Sequence, residues 1–182
     1  VLNVLEKNKD FDLEIFVLES RPLLEGRKTA KILSKYFNTT LIIDAAMGKF
    51  LEQTDLVLIG IDSILRDGSI INKIGSYPLT ALSKLKDIDV YAIGDAYKYN
   101  LRSHYGHDIL IEKKLSSEVF DIKEDTNLDV LNYYFEIIPS EYISGIISDL
   151  GVISIQEFIE RVKCVLPIEW FKYFINNKDS FI

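Results

Sequence analysis

A six-residue apolar run, Leu56–Ile61, is the feature that most limits the fold of this chain. It contains no polar side chain, and Asp62 ends it. A short run without polar alternation is typical of a strand buried on both faces of its sheet. Such a strand needs packing partners above and below, and helices supply them in α/β proteins. The run therefore favours an α/β architecture.

Apolar runs and amphipathic segments alternate from Leu13 to Ile93. The predicted strands are Leu13–Leu18, Thr39–Ile43, Leu56–Ile61 and Val90–Ile93. The predicted helices are Gly26–Phe37, Ala45–Leu51 and Gly75–Leu85. Strands and helices that alternate at such short spacing predict a doubly wound, mostly parallel sheet.

The chain after Tyr99 has a looser pattern, and its predicted elements are short. The predicted strands are Ile109–Ile111, Tyr134–Ile138 and Val152–Ile155, and the predicted helices are Glu141–Leu150, capped by Ser140, and Gln156–Val165. Residues 1–10 have the pattern of the end of a preceding helix, and residues 163–182 form an apolar carboxy-terminal extension. No linker or repeat divides the chain, so residues 1–182 are predicted to form a single domain.

The net charge of −7 limits the classes of partner. An acidic chain is a poor candidate for extended nucleic-acid contacts, because these need a cationic surface. No apolar run approaches the roughly 20 residues that span a membrane, and no signal-peptide pattern opens the chain. The single cysteine, Cys164, allows no internal disulfide and is predicted to be a buried structural thiol. These features predict a cytoplasmic protein.

Polar side chains follow several predicted strands. Asp62 follows the buried run, Arg21 and Lys98 follow two other strands, and Asn72 and Lys73 come after a polar turn. Ligands of parallel α/β sheets bind outside the carboxyl ends of the strands, so these groups predict a cationic crevice with one carboxylate. Such a crevice suits a sugar phosphate. The alternative is that Asp62 caps the turn, as Asp commonly does.

No cofactor and no metal are predicted for this chain. It has no GxGxxG and no Walker A sequence, so these loops give no support for a bound dinucleotide or nucleoside triphosphate. His104 and His107 lie three residues apart, but no cysteine or carboxylate pattern nearby completes a metal site.

Several ordered motifs resemble those of one known family: Glu19–Pro22, Leu24–Arg27 with Thr29–Ala30, Gly60–Ile64, Gly68–Gly75, Ala96–Tyr99, Tyr134–Pro139, Glu141–Ile143 and Leu150–Ile153. This family joins the alpha, beta and delta regulatory subunits of translation initiation factor 2B with two sugar-phosphate isomerases. The isomerases act on methylthioribose 1-phosphate and ribose 1,5-bisphosphate. The resemblance implies a Rossmann-like carboxy-terminal domain, through which family members usually dimerise.

The isomerase branch of this resemblance assigns roles to individual residues. Asp62 matches the acid/base carboxylate, and Asn72 and Lys73 match substrate contacts at the sugar end. Arg21, Glu25 and Lys98 are predicted to add further substrate contacts, although Glu25 falls where the isomerases commonly have glutamine, a departure that weakens the predicted substrate binding. The second catalytic group of the family, a cysteine, and the helical phosphate-binding domain are expected before Val1. Residues 1–182 alone are therefore not expected to be a competent isomerase.

The initiation-factor branch has separate support, since Ser20–Arg27 is most similar to the delta-type regulatory subunit. The resemblance then implies a non-catalytic binding and assembly module with a remnant sugar-phosphate pocket, and the alternative is the isomerase. The implied partners are further copies of the chain, translation initiation factor 2, and a sugar phosphate or nucleoside monophosphate. A dimer contact is expected from Tyr133–Ile138 and the apolar extension.

Overall fold

The structure is a computed structural model that describes residues 1–121, 127–169 and 172–173. Its strands are β1 (Glu14–Leu18), β2 (Asn38–Ile42), β3 (Leu56–Gly60), β4 (Ser63–Ile64), β5 (Ile70–Lys73), β6 (Asp89–Ile93), β7 (Phe135–Ile138), β8 (Gly145–Ser148) and β9 (Gly151–Ile153). Its α-helices are α1 (Leu2–Lys7), α2 (Glu25–Leu33), α3 (Met47–Phe50), α4 (Ser76–Leu85), α5 (Leu101–His104) and α6 (Ile155–Val165). Short 3₁₀ turns join several of them.

The central four-stranded sheet is mostly parallel, and helices pack on it, which confirms the predicted Rossmann-like α/β class. The central sheet has the strand order β3-β6-β8-β9. Its strands β3, β6 and β8 are parallel, and β9 is antiparallel to β8. Strands β1 and β2 form a separate parallel pair. A third, antiparallel sheet has the order β4-β5-β7. Helix α4 contacts β3, β6 and β7, so it packs between the central and antiparallel sheets.

The predicted helix Glu141–Leu150 is wrong. A single 3₁₀ turn, Ser140–Tyr142, is followed by β8, which lies between β6 and β9. Ile146 on β8 is completely buried, and burial in the sheet outweighs the local capping signal of Ser140. The predicted strand at Ile109–Ile111 is also absent, and the extended pairing nearby is an isolated bridge between Lys113 and Tyr133.

The core lies between the two larger sheets and α6. Its fully buried side chains include Ile64, Ile70, Ile138, Ile146, Phe158 and Val162. Phe158 and Val162 lie four residues apart and form the buried stripe of α6.

The prediction for Cys164 is wrong, because this residue is exposed. It lies two positions after the buried Val162, on a different side of α6. The apolar extension is described only up to residue 169 and at residues 172–173, so most of the predicted dimer contact there lies outside the described residues. Within the described part of the chain, no helix is both long enough and apolar enough to cross a membrane.

Candidate functional site

Asp62 begins the segment that connects β3 to the antiparallel sheet. Its backbone N–H donates a hydrogen bond of 2.9 Å to the carbonyl oxygen of Ile71, on β5. This bond holds the backbone of Asp62 against β5, next to the positions of Asn72 and Lys73. Asp67, not Asp62, makes the turn-capping contact, since its Oδ1 accepts a 2.9 Å bond from the backbone N–H of Ser69.

Lys98 lies on the 3₁₀ turn Ala96–Lys98, just after β6. Gly60 and Ile93, the last residues of β3 and β6, are partners in the parallel ladder, so the groups that follow them emerge at one edge of the sheet. The two strand ends are closely packed: a Cβ at Gly94 would lie 2.9 Å from Ile61 Cβ and 3.3 Å from Lys98 Cγ. The turn that carries Lys98 is held by its Asp95 cap, whose carboxylate accepts the Tyr97 backbone N–H at 2.9 Å.

The Asp62 carboxylate lies in the field of both Lys98 and Lys73. Partial burial raises the pKa of Asp62 above its usual range, and the positive charges of Lys98 and Lys73 offset part of that rise. A carboxyl group with a raised pKa and two cationic neighbours can hold or release a proton next to a bound anion.

Lys73 has two further contacts that the sequence did not reveal. Its Nζ lies 2.7 Å from Glu25 Oε1, at the first turn of α2. The same ammonium lies 5.1 Å from the centre of the Tyr134 ring. The phenol of Tyr134 donates a hydrogen bond to Glu118, and this bond raises the pKa of Tyr134 to about 12. Lys73 is therefore held between a carboxylate and an aromatic face.

Asn72 and Arg21 are placed differently from the other predicted residues. Asn72 is buried, and its Nδ2 donates a 2.8 Å bond to Ser76 Oγ at the start of α4, which ties β5 to that helix. Arg21 is exposed, and its backbone N–H donates a 2.7 Å bond to Asp44 Oδ2. Asp44 also accepts the Ser20 N–H at 2.8 Å, so it organises the loop after β1. Asp44 directly follows the predicted strand Thr39–Ile43, and this position is the sequence signal that could have identified it as a loop-organising residue.

The described residues contain no cluster of three or more histidine, cysteine or carboxylate side chains able to hold a metal ion. His104 Nδ1 lies 2.9 Å from the hydroxyl of Tyr99. Burial lowers the pKa of His104, and the charges of Lys163 and Arg66 lower it further. His104 is thus engaged with a core tyrosine.

The raised pKa of Asp62 predicts a specific dependence of stability on pH. A carboxyl group whose pKa is higher in the folded state is harder to ionise there than in the unfolded chain. The free energy of unfolding therefore falls as the pH rises above the pKa of this group in the unfolded chain. Asp62→Asn should therefore increase the free energy of unfolding at pH 7 and have little effect below the usual carboxyl pKa. Urea unfolding of both proteins from pH 3 to pH 8 measures this difference. Asp55→Asn, an exposed position, corrects for the change in net charge. A constant difference at every pH would contradict the prediction.

Comparison with known proteins places these residues in a family context. The sequence profile described as "Initiation factor 2 subunit family" matches residues 1–155. Ribose 1,5-bisphosphate isomerase of Haloterrigena turkmenica is 34% identical over 152 residues, which cover 77% of this chain and 46% of that protein.

Two solved structures have a similar fold. The 5-methylthioribose 1-phosphate isomerase of Pyrococcus horikoshii OT3 matches with a TM-score of 0.77 and 27% identity over 91% of this chain and 49% of that one. The translation initiation factor eIF-2B of the same organism matches with a TM-score of 0.70 and 26% identity over 84% of this chain and 54% of that one. The chain thus spans about half the length of the relatives it matches.

Proposed function

The chain belongs to the initiation factor 2 subunit family, and we propose that it carries the acid–base half of a site that interconverts the aldose and ketose forms of a phosphorylated ribose. The observation that carries the proposal is the position of Asp62, a partly buried carboxyl group that follows β3 and whose pKa, raised by burial, is lowered in part by the charges of Lys98 and Lys73. Relatives named as isomerases of ribose 1,5-bisphosphate and 5-methylthioribose 1-phosphate support the same chemistry.

The residues of this chain have distinct parts in the proposed reaction. Isomerisation of a ribose 1-phosphate opens the sugar ring: one hydrogen moves from C2 to C1, the 2-hydroxyl loses its proton to become the ketone, and the ring oxygen gains a proton, so the sugar neither gains nor loses an atom. Asp62 takes up a proton as a carboxylate and returns it as a carboxylic acid, which its raised pKa favours. Lys98 and Lys73 attract the anionic substrate and stabilise negative charge that develops on the sugar oxygens. Asn72 holds β5 in place through Ser76.

A second candidate function is that of an initiation-factor-2B-related binding and assembly module. The Glu25–Lys73 ion pair favours it, because a carboxylate on this lysine opposes the binding of an anionic sugar. The structural similarity to the Pyrococcus horikoshii factor also supports it. This candidate includes association with further copies of the chain and with translation initiation factor 2 in the cytoplasm, with the sugar-phosphate pocket as a remnant. In either case we propose that residues 1–182 fold as one domain.

Ligand binding tests the sugar-phosphate proposal directly. Ribose 1,5-bisphosphate at 100 times its dissociation constant should stabilise the protein by about 2.7 kcal/mol, which corresponds to roughly 5–10 °C in the melting temperature of a chain of this size. Lys98→Ala should reduce this shift, because it removes a cation beside Asp62. Thermal unfolding with and without ligand measures both effects.

The matched control is Lys86→Ala, which removes a partly exposed lysine paired with Glu52 outside the site. Its shift with ribose 1,5-bisphosphate should equal that of the unmodified protein. Methylthioribose 1-phosphate and nucleoside monophosphates, tested in the same way, compare other ligands of this class. No shift with any of these compounds would overturn the proposal and leave the assembly module as the remaining candidate.

A further inference from the structure

The carboxylate of Glu25 lies within hydrogen-bond distance of the Lys73 ammonium. Its Oε1 is 2.7 Å from Lys73 Nζ, a distance typical of a charge-assisted hydrogen bond to an anion. The side chain of Lys73 is 20% exposed, whereas that of Glu25 is 52% exposed. The lysine is thus held inside the site, and its carboxylate partner reaches it from the solvent side.

The more enclosed partner of this pair is the lysine. Lys73 belongs to β5, which pairs with β4 on one side and β7 on the other, and its ammonium also lies near the Tyr134 ring. Glu25 is the first residue of α2, and about half of its side chain is exposed. A rotation of the Glu25 side chain alone can therefore break the pair without a change in the backbone.

The charges of the site show what such a rotation would change. Lys98 and Lys73 act electrostatically on Asp62, and Glu25 pairs with Lys73, so the four side chains together carry no net charge when all are ionised. Among the described residues, Lys98 has no carboxylate within salt-bridge distance, whereas Lys73 has Glu25. A phosphorylated sugar that enters this site must displace the carboxylate of Glu25 from Lys73 or bind with one cation neutralised.

We propose that Glu25 is an internal competitor for anionic ligands, a specificity-determining residue that occupies Lys73 in the free protein and leaves it when a phosphorylated sugar binds. This inference rests on the proposed function. It assigns to Glu25 a role opposite to that of a substrate-binding residue, because Glu25 weakens ligand binding. Small anions with few contacts are excluded by the competition, and a sugar phosphate that makes many contacts overcomes it.

Two substitutions separate competition from direct contact. Glu25→Gln removes the charge and replaces the carboxylate with an amide of similar shape that can donate a hydrogen bond, whereas Glu25→Ala removes both the charge and any contact. Each should tighten the binding of ribose 1,5-bisphosphate by about fivefold, the upper range for loss of an exposed ion pair. The advantage over the unmodified protein should shrink as salt is added, because salt screens the competing carboxylate. The matched control is Glu52→Gln, which breaks the exposed pair with Lys86 and should leave the affinity unchanged.

Isothermal titration calorimetry with ribose 1,5-bisphosphate at low and high salt tests the inference, and thermal unfolding without ligand confirms that each variant is folded. Tighter binding by both Glu25 variants supports it, as does binding by the variants when the unmodified protein does not bind. Equal or weaker binding by both variants, with measurable binding by the unmodified protein, overturns the inference and leaves the proposed function intact. Tightening in Glu25→Gln alone also overturns it, because the amide would then be a ligand contact. Absence of binding in all the proteins overturns the proposed function together with the inference.

Discussion

Alanine at position 26 should destabilise the protein by about 3 kcal/mol or more, at or beyond the upper end of the usual overpacking range. Gly26 lies in the first turn of α2, and a Cβ at this position would lie only 1.7 Å from the carbonyl oxygen of Leu18 and 2.8 Å from its carbonyl carbon. Both neighbours are backbone atoms at the end of β1, so no side-chain rotation relieves the overlap. The helix must move away from the strand for alanine to fit.

Urea unfolding followed by circular dichroism measures the change, with the slope against denaturant as a check on two-state behaviour. The matched control is Gly48→Ala in α3, where the new Cβ would lie 3.9 Å from Leu82 Cδ1, an ordinary contact. That variant should be stabilised by about 0.5–1 kcal/mol, because alanine has the higher helix propensity. A loss of less than 1 kcal/mol in Gly26→Ala would show that the start of α2 is not held against β1 as the structure has it.

The position of Gly26 also explains how the fold builds the site. The same close approach of α2 to β1 places the neighbouring Glu25 near the end of β1. From there the carboxylate of Glu25 pairs with Lys73 on β5. The loop before α2 contains Ser20 and Leu24, both with φ near +60°, a conformation that is unfavourable for residues other than glycine. The backbone bonds from Ser20 and Arg21 to Asp44 stabilise this loop.

Four of the five parallel strands, β1, β2, β3 and β6, could be predicted from the sequence because each contains an apolar run, whereas β8 lies in a segment that was predicted to be a helix. Strand β3 is the clearest example, since Leu56–Gly60 contains no polar residue. Strand β5 was missed because Ile70 and Ile71 are only two apolar residues between a polar turn and the polar pair Asn72 and Lys73. Pairing with β4 and β7, which no local pattern shows, makes this segment a strand.

Prediction of the site had a similar limit. The rule that ligands bind at the carboxyl ends of parallel strands identified Asp62 and Lys98, and the structure places both at that edge of the sheet. The Glu25–Lys73 pair joins residues 48 positions apart in the sequence, and the ring of Tyr134 comes from a third segment. Contacts of this range depend on how the helix and the antiparallel sheet pack, so residue patterns do not reveal them.

The largest expected functional effect is that of Asp62→Asn on turnover. If Asp62 transfers the proton, the asparagine variant should convert ribose 1,5-bisphosphate about 10²–10⁴ times more slowly than the unmodified protein, the range measured for loss of a general acid or base. The fold should be retained, because the amide has the shape of the protonated carboxyl group and loses the ionised form that partial burial disfavours. Binding should change much less than turnover, since Lys73 and Lys98 remain in place.

The assay requires the protein from the full reading frame, so that any groups outside residues 1–182 take part. Asp67→Asn is the matched control, because Asp67 lies on the neighbouring turn and caps Ser69, and its turnover should stay within a few-fold of the unmodified rate. Turnover by Asp62→Asn within tenfold of the unmodified rate would exclude Asp62 as the proton-transfer group. Absence of turnover in the unmodified protein, together with measurable binding of the bisphosphate, would favour the assembly module with a remnant pocket. In that case Asp62 would act only on the charge balance of the site, and its asparagine variant should bind the anion more tightly, because one of the two competing carboxylates would be gone.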